Sequence, residues 1–386
     1  MTYFLKILVK NAFRHRLRTL LTIIGITIAI LAFGLLCTVV SAWYAGVEAS
    51  SASRLVTRNA ISLVFSLPIS YREKLLRMTG VKQVSYANWF GGVYITEKNF
   101  FPNFAIEPKS YLDLYPEFVL DPREKENFIR DRKGAVAGRK LAERFGWKVG
   151  DSIPLRGTIF PGSWQFVLRG IYHGAEKSTD ENQFFFQWAF LNETMLKSIP
   201  RRANQVGIYL LGLSSPNIAA EVSRNVDATF KNSLAETLTE TEKAFQLSFI
   251  SMTEAIVIAI QTVSFVVIAI IMAVVANTMA MTARERIGEY AVFKTLGFSW
   301  WHIAGMIFGE SFFITITGCT LGIILTFPVA KAFGEQLSNF FPVFHVARAT
   351  LYLDVAAALV ISLVSGIFPT WRAVTIKIAD GLRRIQ

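Results

Sequence analysis

The sequence predicts an α-helical membrane protein with four transmembrane helices plus a mixed α+β extracytoplasmic domain on a helical stalk. Three observations carry that prediction. Four apolar runs, 20–43, 255–281, 303–331 and 351–371, each reach the roughly 20 residues a helix needs to cross a bilayer. A polar stretch, 44–254, separates the first run from the other three and is long enough to build its own core. Across all 386 residues hydrophobic side chains make up 52% and charged ones only 18%. Mean hydropathy is +0.40, away from the balance of a soluble chain.

The chain opens on a basic segment, 1–19. Lys6, Lys10, Arg14 and Arg18 recur every four residues, and Phe4, Ile7, Leu8 and Phe13 supply an apolar side. This pattern suits an amphipathic helix in the headgroup region with its cations against membrane lipids, or the ordinary basic flank of a span. Both place the segment in the cytoplasm. The run 20–43 is too long for the apolar core of a signal peptide and has no small-residue cleavage site after it, so a retained anchor is expected.

Net charge is +12, and its location decides what it means. The stretch 44–254 holds 26 Lys and Arg against 22 Asp and Glu, so +8 of the excess lies beside the apolar runs. That placement speaks for membrane orientation and against nucleic acid as a partner. Arg284, Arg286 and Lys294 lie in the connection 282–302, and Arg372, Lys377, Arg383 and Arg384 in the tail 372–386. The loop 332–350 offers only Arg348, with Lys331 at its edge. Both termini and the connection 282–302 are therefore expected in the cytoplasm, with 44–254 and 332–350 outside.

Within 44–254 the pattern is mixed. Tyr71–Met78 and Arg139–Phe145 read as helices; Val93–Thr96, Ile153–Leu155, Gln165–Ile171 and Gln205–Leu211 read as strands bounded by Gly, Pro and Asp. Five aromatics in seven residues, Phe184–Phe190, suggest a buried strand, with an exposed apolar patch as the alternative. Leu234, Leu238, Phe245, Phe249 and Met252 recur at helical spacing before the second run, and Val47–Leu55 lacks Pro and Gly after the first. These two extensions are expected to pair as the stalk.

No constellation for catalysis is present. Cys37 and Cys319 both fall in apolar runs, and His15, His173, His302 and His345 are scattered without ligand spacing, so no metal site is expected. Gly134–Lys140 has two glycines but no Gly-Lys-Ser/Thr, so it lacks both the phosphate cradle and the magnesium ligand. Glu310 stands about two turns into the third run, where a carboxylate is costly unless paired; it is either a functional group or a structural hydrogen bond to a neighbouring helix. Gly305 with Gly309, Gly318 with Gly322, and Ser362 with Gly366 have the small-residue spacing that lets helix backbones approach closely.

The connection 282–302 is the most informative stretch. Arg284, Glu285, Arg286, Glu289, Ala291 and Lys294 allow about three helical turns without proline, and Gly297 follows as a natural C-cap. It reads Arg-x-Arg-Ile-Gly-Glu-Tyr-Ala-Val-Phe-Lys-Thr-Leu-Gly from Arg284 to Gly297. Together with the order of one span, a large domain and three spans, this hairpin resembles that of the MacB/FtsX-like permeases of bacterial ABC transporters. The family pattern, close to Arg-x-x-Glu-Ile-Gly-x-x-x-Ala-Leu-Gly-Ala, maps onto Arg284 or Arg286, Ile287, Gly288, Glu289, Leu296 and Gly297. Gly288-Glu289 stands where Glu-Ile-Gly is usual, and Thr295 replaces the common Ala. The run IFGESFFITITGCTLGIIL with its early Glu310, and the ending PTWRAVTIKIADGLR from Pro369 to Arg383, are similar to the family's third span and tail.

The resemblance implies a non-catalytic permease subunit in the bacterial inner membrane. It would work as a homodimer or paired with a similar permease, bound on the cytoplasmic side by a separate ABC ATPase. That partner holds ATP and Mg, and no cofactor is bound by this chain. The ATPase contact would be Arg284, Glu285, Arg286, Gly288, Glu289, Lys294 and Gly297. Motor dimerisation would be relayed through the spans to the external domain for export or extraction of a peptide, antibiotic, lipid or lipoprotein, with a periplasmic adaptor and outer-membrane channel as further partners. The alternative is an FtsX-like scaffold relaying motion to a cell-wall hydrolase.

Overall fold

The computed structural model describes residues 13–176, 178–251, 253–336, 341 and 343–375. Expectations placed on Phe4, Lys6, Ile7, Leu8, Lys10, Met252, Lys377, Arg383 and Arg384 lie outside the described residues. The chain divides into two compact units, one built from the helical segments and one from the polar stretch.

The helical unit contains α1 (Arg16–Ala49), α2 (Glu254–Glu285), α3 (Ile287–Thr295), α4 (Trp300–Gln336) and α5 (Arg348–Thr375). All but α3 are long and apolar enough to cross a membrane. Helices suit that setting because they satisfy every interior backbone group within one segment. Hydroxyls inside them do the same locally: Thr27 and Thr326 donate to the carbonyls of Ile23 and Gly322, four residues back, at 2.8 and 2.9 Å. Ile26, Ile30, Ile271, Val275, Ile314 and Ile361 form the centre of the bundle. Large apolar side chains such as Phe265, Ile270, Leu325 and Leu363 cover its exterior, as lipid requires.

The connection departs from expectation at one end. Arg284 and Glu285 belong to α2, because charge alone does not stop a helix; the break falls at Arg286, whose backbone leaves the helical region at φ −101° and ψ 9°. α3 then runs to Thr295. Gly297 follows it at φ +86°, the left-handed conformation that glycine adopts cheaply at a helix end.

The second unit is organised by one long sheet. Its strands are β1 (Arg54–Asn59), β2 (Leu67–Pro68), β3 (Val81–Trp89), β4 (Gly92–Val93), β5 (Asn103–Ile106), β6 (Phe118–Val119) and β7 (Gly134–Gly138). Then come β8 (Ser152–Gly157), β9 (Gly162–Gly174), β10 (Phe184–Gln187), β11 (Gln205–Val206), β12 (Ile208–Leu213) and β13 (Thr237–Thr241). The order is β13-β1-β12-β3-β5-β10-β7-β9-β8-β4, with β6 beside β9 and β2 paired to β11 in a separate ribbon. β4 continues β3 after a bend at Phe90–Gly91, so the run from β3 through β5, β10, β7, β9 and β8 comes back to its own start. β10 pairs parallel with β5, and β7 parallel with β9; the other pairings are antiparallel.

The first half of the aromatic run is explained by where β10 lies; against expectation Trp188 and Phe190 belong to the helix Trp188–Ser198 that follows it. Phe184 and Phe186 face a core that includes Phe90, Trp164 and Phe166, while Phe185 faces a second one with Tyr111, Phe128 and Tyr172. All three phenylalanines are fully buried, since the strand has a core on each face. By contrast β9 buries alternate residues, Trp164, Phe166, Leu168 and Tyr172. Local signals fit their elements too: Glu107 and Asp121 accept from the backbone N–H groups of Ser110 and Arg123, each before a proline that opens a helix.

Further expectations fail here, and Val47–Leu55 is helical only as far as Ala49, with β1 opening at Arg54. Val93–Thr96 is not a strand beyond Val93; the Thr96 N–H turns back to the Tyr94 carbonyl around Ile95 at φ +58°. Gln205–Leu211 is two strands in different sheets, divided at Gly207. Leu234 lies in a turn and Leu238 in β13, where Thr239 pairs with Thr57 of β1, so only Glu242–Ser251 of that stretch is helical. Threonines at alternate positions favour the pleated strand over the helix that the leucine spacing suggested.

Candidate functional site

α3 is held from its inner side by ion pairs. Arg286, at the break that precedes it, is only 6% exposed and turns into the bundle. Its NH1 donates to Glu310 Oε2 of α4 at 3.0 Å and its Nε to Glu289 Oε2 at 3.1 Å, while the guanidinium carbon lies 5.5 Å from the Tyr290 ring centre. Glu289 also accepts from Arg14. One turn earlier, both carboxylate oxygens of Glu285 accept from Arg18 at 2.8 Å, and His15 Nε2 lies 3.4 Å away. Lys294 donates to the Val374 carbonyl of α5 at 2.7 Å. The short helix is thus tied to α4, to α5 and, through Arg14, to the turn that opens α1.

Electrostatics follow from this arrangement. Partial burial pushes the Glu289 carboxyl up, but hydrogen bonds from the Arg14 and Arg286 guanidinium groups outweigh it and hold the carboxyl below its usual range. Burial pushes the Tyr290 hydroxyl up to about 12 and lowers Lys294.

The predicted contact residues therefore separate into two groups. Arg286, Glu289 and Glu285 are engaged within the chain, and Lys294 is half-buried. Arg284 is exposed and makes no ion pair with another described residue. Gly288 sits half-buried in the first turn of α3 and Gly297 in the exposed turn after it. That turn carries a surface the sequence analysis passed over: Val292, Leu296, Phe298, Trp300 and Trp301 are all exposed, and the two tryptophan rings stack at 3.7 Å. The signal was visible as five apolar residues in a connection between spans.

Among the small residues, Gly318 and Gly322 meet α1. A Cβ at either would lie 2.8 and 2.9 Å from the Cβ atoms of Ile26 and Ile30. A Cβ at Gly366 would lie 2.6 Å from the Phe308 ring; Ser362 accepts through its carbonyl from Ser311 at 3.2 Å. Gly305 has open space around it, and Gly309 is half-buried on α4.

Two buried groups escaped the sequence. Asp354 of α5 is fully buried, and neither carboxylate oxygen has a hydrogen-bond partner among the described residues. It packs where a Cβ on Gly34 of α1 would lie 3.1 Å from its Oδ2 and 3.3 Å from Thr326 Oγ1. In the polar unit, Arg54 is 6% exposed and joins Glu242 at 2.8 Å and Glu117 at 2.6 Å, with Tyr115 donating to Glu242 at 3.0 Å. The Ser51 N–H also reaches Glu242, at 2.8 Å. This network fastens the strand on which the chain enters the unit to the helix on which it leaves.

Comparison with known proteins supplies the family. Residues 19–236 match the MacB-like periplasmic core domain, and residues 262–378 match the FtsX-like permease C-terminal region. No curated protein matches the chain. Solved structures similar to part of it include the following two. One is the extracellular domain of the noncanonic ABC-type transporter YknZ from Gram-positive bacteria, at 12% identity and TM-score 0.35, covering 49% of this chain and 100% of that one. The other is a domain of a putative permease protein from Porphyromonas gingivalis, at 14% identity and TM-score 0.34, covering 50% of this chain and 92% of that one. With its four apolar helices and its mixed α/β domain between the first two, the chain belongs to the MacB/FtsX-like family of ABC-transporter permeases.

Proposed function

We propose that this chain is the permease subunit that turns ATP hydrolysis by a separate ATPase into movement of its extracytoplasmic domain. Its substrate is a peptide, antibiotic, lipid or lipoprotein that is exported or extracted. Both termini and α3 lie in the cytoplasm, since Arg14, Arg16, Arg18, Arg284, Arg286 and Lys294 gather at one end of the spans. The observation that carries the proposal is α3: a short helix pinned on its inner side to the turn that opens α1, to α4 and to α5, with Arg284 and an apolar turn left exposed. A push on such a helix is passed to the spans through ion pairs rather than absorbed by a slack loop.

The motor contact is Arg284 with Val292, Leu296, Phe298 and Trp301. Glu285, Arg286 and Glu289 set the orientation of the helix from behind, and Lys294 anchors it to α5. In the external domain, the Arg54–Glu242 link makes the entering and leaving segments move as one.

The test is affinity purification of the tagged chain from mild detergent at low salt, with identification of copurifying proteins and assay of ATP hydrolysis. A copurifying ABC ATPase is expected, with an adaptor or outer-membrane channel for an exporter. Absence of any ATPase would overturn the proposal, and a cell-wall hydrolase in place of a transport partner would overturn its export half.

A further inference from the structure

We propose that the groove between the start of α1 and the end of α2 is a binding site for an anionic phospholipid. The groove encloses about 630 Å³. One end is cationic, lined by His15, Arg16 and Arg18; the rest is walled by Leu17, Leu21 and Val274, which are 72%, 59% and 48% exposed. Thr22 and Thr278 complete the wall, but each donates its hydroxyl proton to a backbone carbonyl four residues back, at 2.9 Å. Those hydroxyls are therefore not free donors, and the wall is effectively apolar.

The cations are not equivalent. Arg18 and His15 share Glu285, which neutralises one charge between them. Arg16 makes no ion pair with any described residue, so the head of the groove has an uncompensated guanidinium beside an apolar channel. From Arg16 to Leu21 the helix rises about 7.5 Å, the separation between a lipid phosphate level and the first stretch of acyl chain. A ligand that satisfies both ends carries a phosphate and hydrocarbon on one molecule. Net charge selects among lipids: a zwitterionic headgroup would bring its quaternary ammonium against the guanidinium, whereas phosphatidylglycerol brings none. Free phosphate would leave the leucine wall bare.

The occupant could be tested without the ATPase, so this inference stands or falls apart from the motor proposal. Full-length protein would be purified in mild detergent, supplied with equal phosphatidylglycerol and phosphatidylcholine, and its retained lipid counted by native mass spectrometry. Preferential retention of phosphatidylglycerol is expected, undiminished by excess inorganic phosphate. Arg16→Gln should lower that retention about fivefold, and Arg16→Lys should keep most of it. Leu21→Trp, which fills the channel with the charge intact, should also lower it. Equal retention by wild type, Arg16→Gln and Leu21→Trp would overturn the assignment, as would displacement by inorganic phosphate. So would efficient crosslinking of Leu21→Cys in native membranes to a second copy or to residues 1–12, which would put protein in the groove.

Discussion

Arg286 is the residue on which the hairpin turns. Its guanidinium is buried against Glu310 and Glu289, and the desolvation of two charges is offset only while both partners are present. Arg286→Met should therefore cost about 3–5 kcal/mol, read as a fall in the detergent unfolding midpoint, and pairing it with Glu310→Leu should restore much of the loss. Glu289 adds a pH dependence whose sign is fixed by its depressed carboxyl. The contribution is present above the ordinary glutamate range and is lost as pH falls through the folded value, so the protection of residues 13–18 against hydrogen exchange, taken relative to the intrinsic rate at each pH, should fall under acid and not under base. Asp354 is the reverse case. A fully buried carboxyl without a hydrogen-bond partner contributes nothing that a neutral side chain cannot, so Asp354→Asn should leave thermal stability unchanged or raise it, while Gly34→Leu should lower it by driving carbon into that carboxyl and Thr326.

At the scale of elements, the glycines of α4 have unequal roles. Gly318→Leu must displace Ile26 of α1, an overpacking that costs about 1–3 kcal/mol, whereas Gly305→Ala meets open space inside a helix and should be neutral to slightly stabilising in the same melting experiment. Phe185 in β10 fills the second core of the polar unit, and Phe185→Ala should cost about 3–5 kcal/mol by thermal melting. Much of this level was legible from the sequence. Four long apolar runs read as spans, and five aromatics in seven residues pointed to a buried strand, although its burial on both faces and its end at Gln187 came only from the fold. What was lost came from signals that local pattern cannot separate. Leu234 and Leu238 have helical spacing, yet Thr237, Thr239 and Thr241 between and beyond them pair with β1, and that partner lies nearly 200 residues away. Likewise Asp354 and Glu310 look alike as lone carboxylates in apolar runs; only the fold brings Arg286 to Glu310 and leaves Asp354 without a hydrogen-bond partner among the described residues. The contact residues suffered the same blindness, because mixed charge in a hairpin does not reveal which side chains are already paired inside the chain.

For the whole molecule, the family assignment rests on matches to both the domain and the membrane helices, and the account built on it is one of mechanical coupling. In the proposed mechanism α3 receives force on its exposed turn and passes it through Glu289, Arg286 and Lys294 to the turn that opens α1, to α4 and to α5. The measurement that bears on this most directly compares ATPase recovery by the tagged wild-type chain with recovery by one carrying Arg284→Glu, Leu296→Ser and Trp301→Ser. All three positions are exposed, so insertion and thermal stability should be unchanged while recovery of the ATPase falls at least about tenfold. Equal recovery by the two chains would contradict the account and move the motor contact away from the turn after α3.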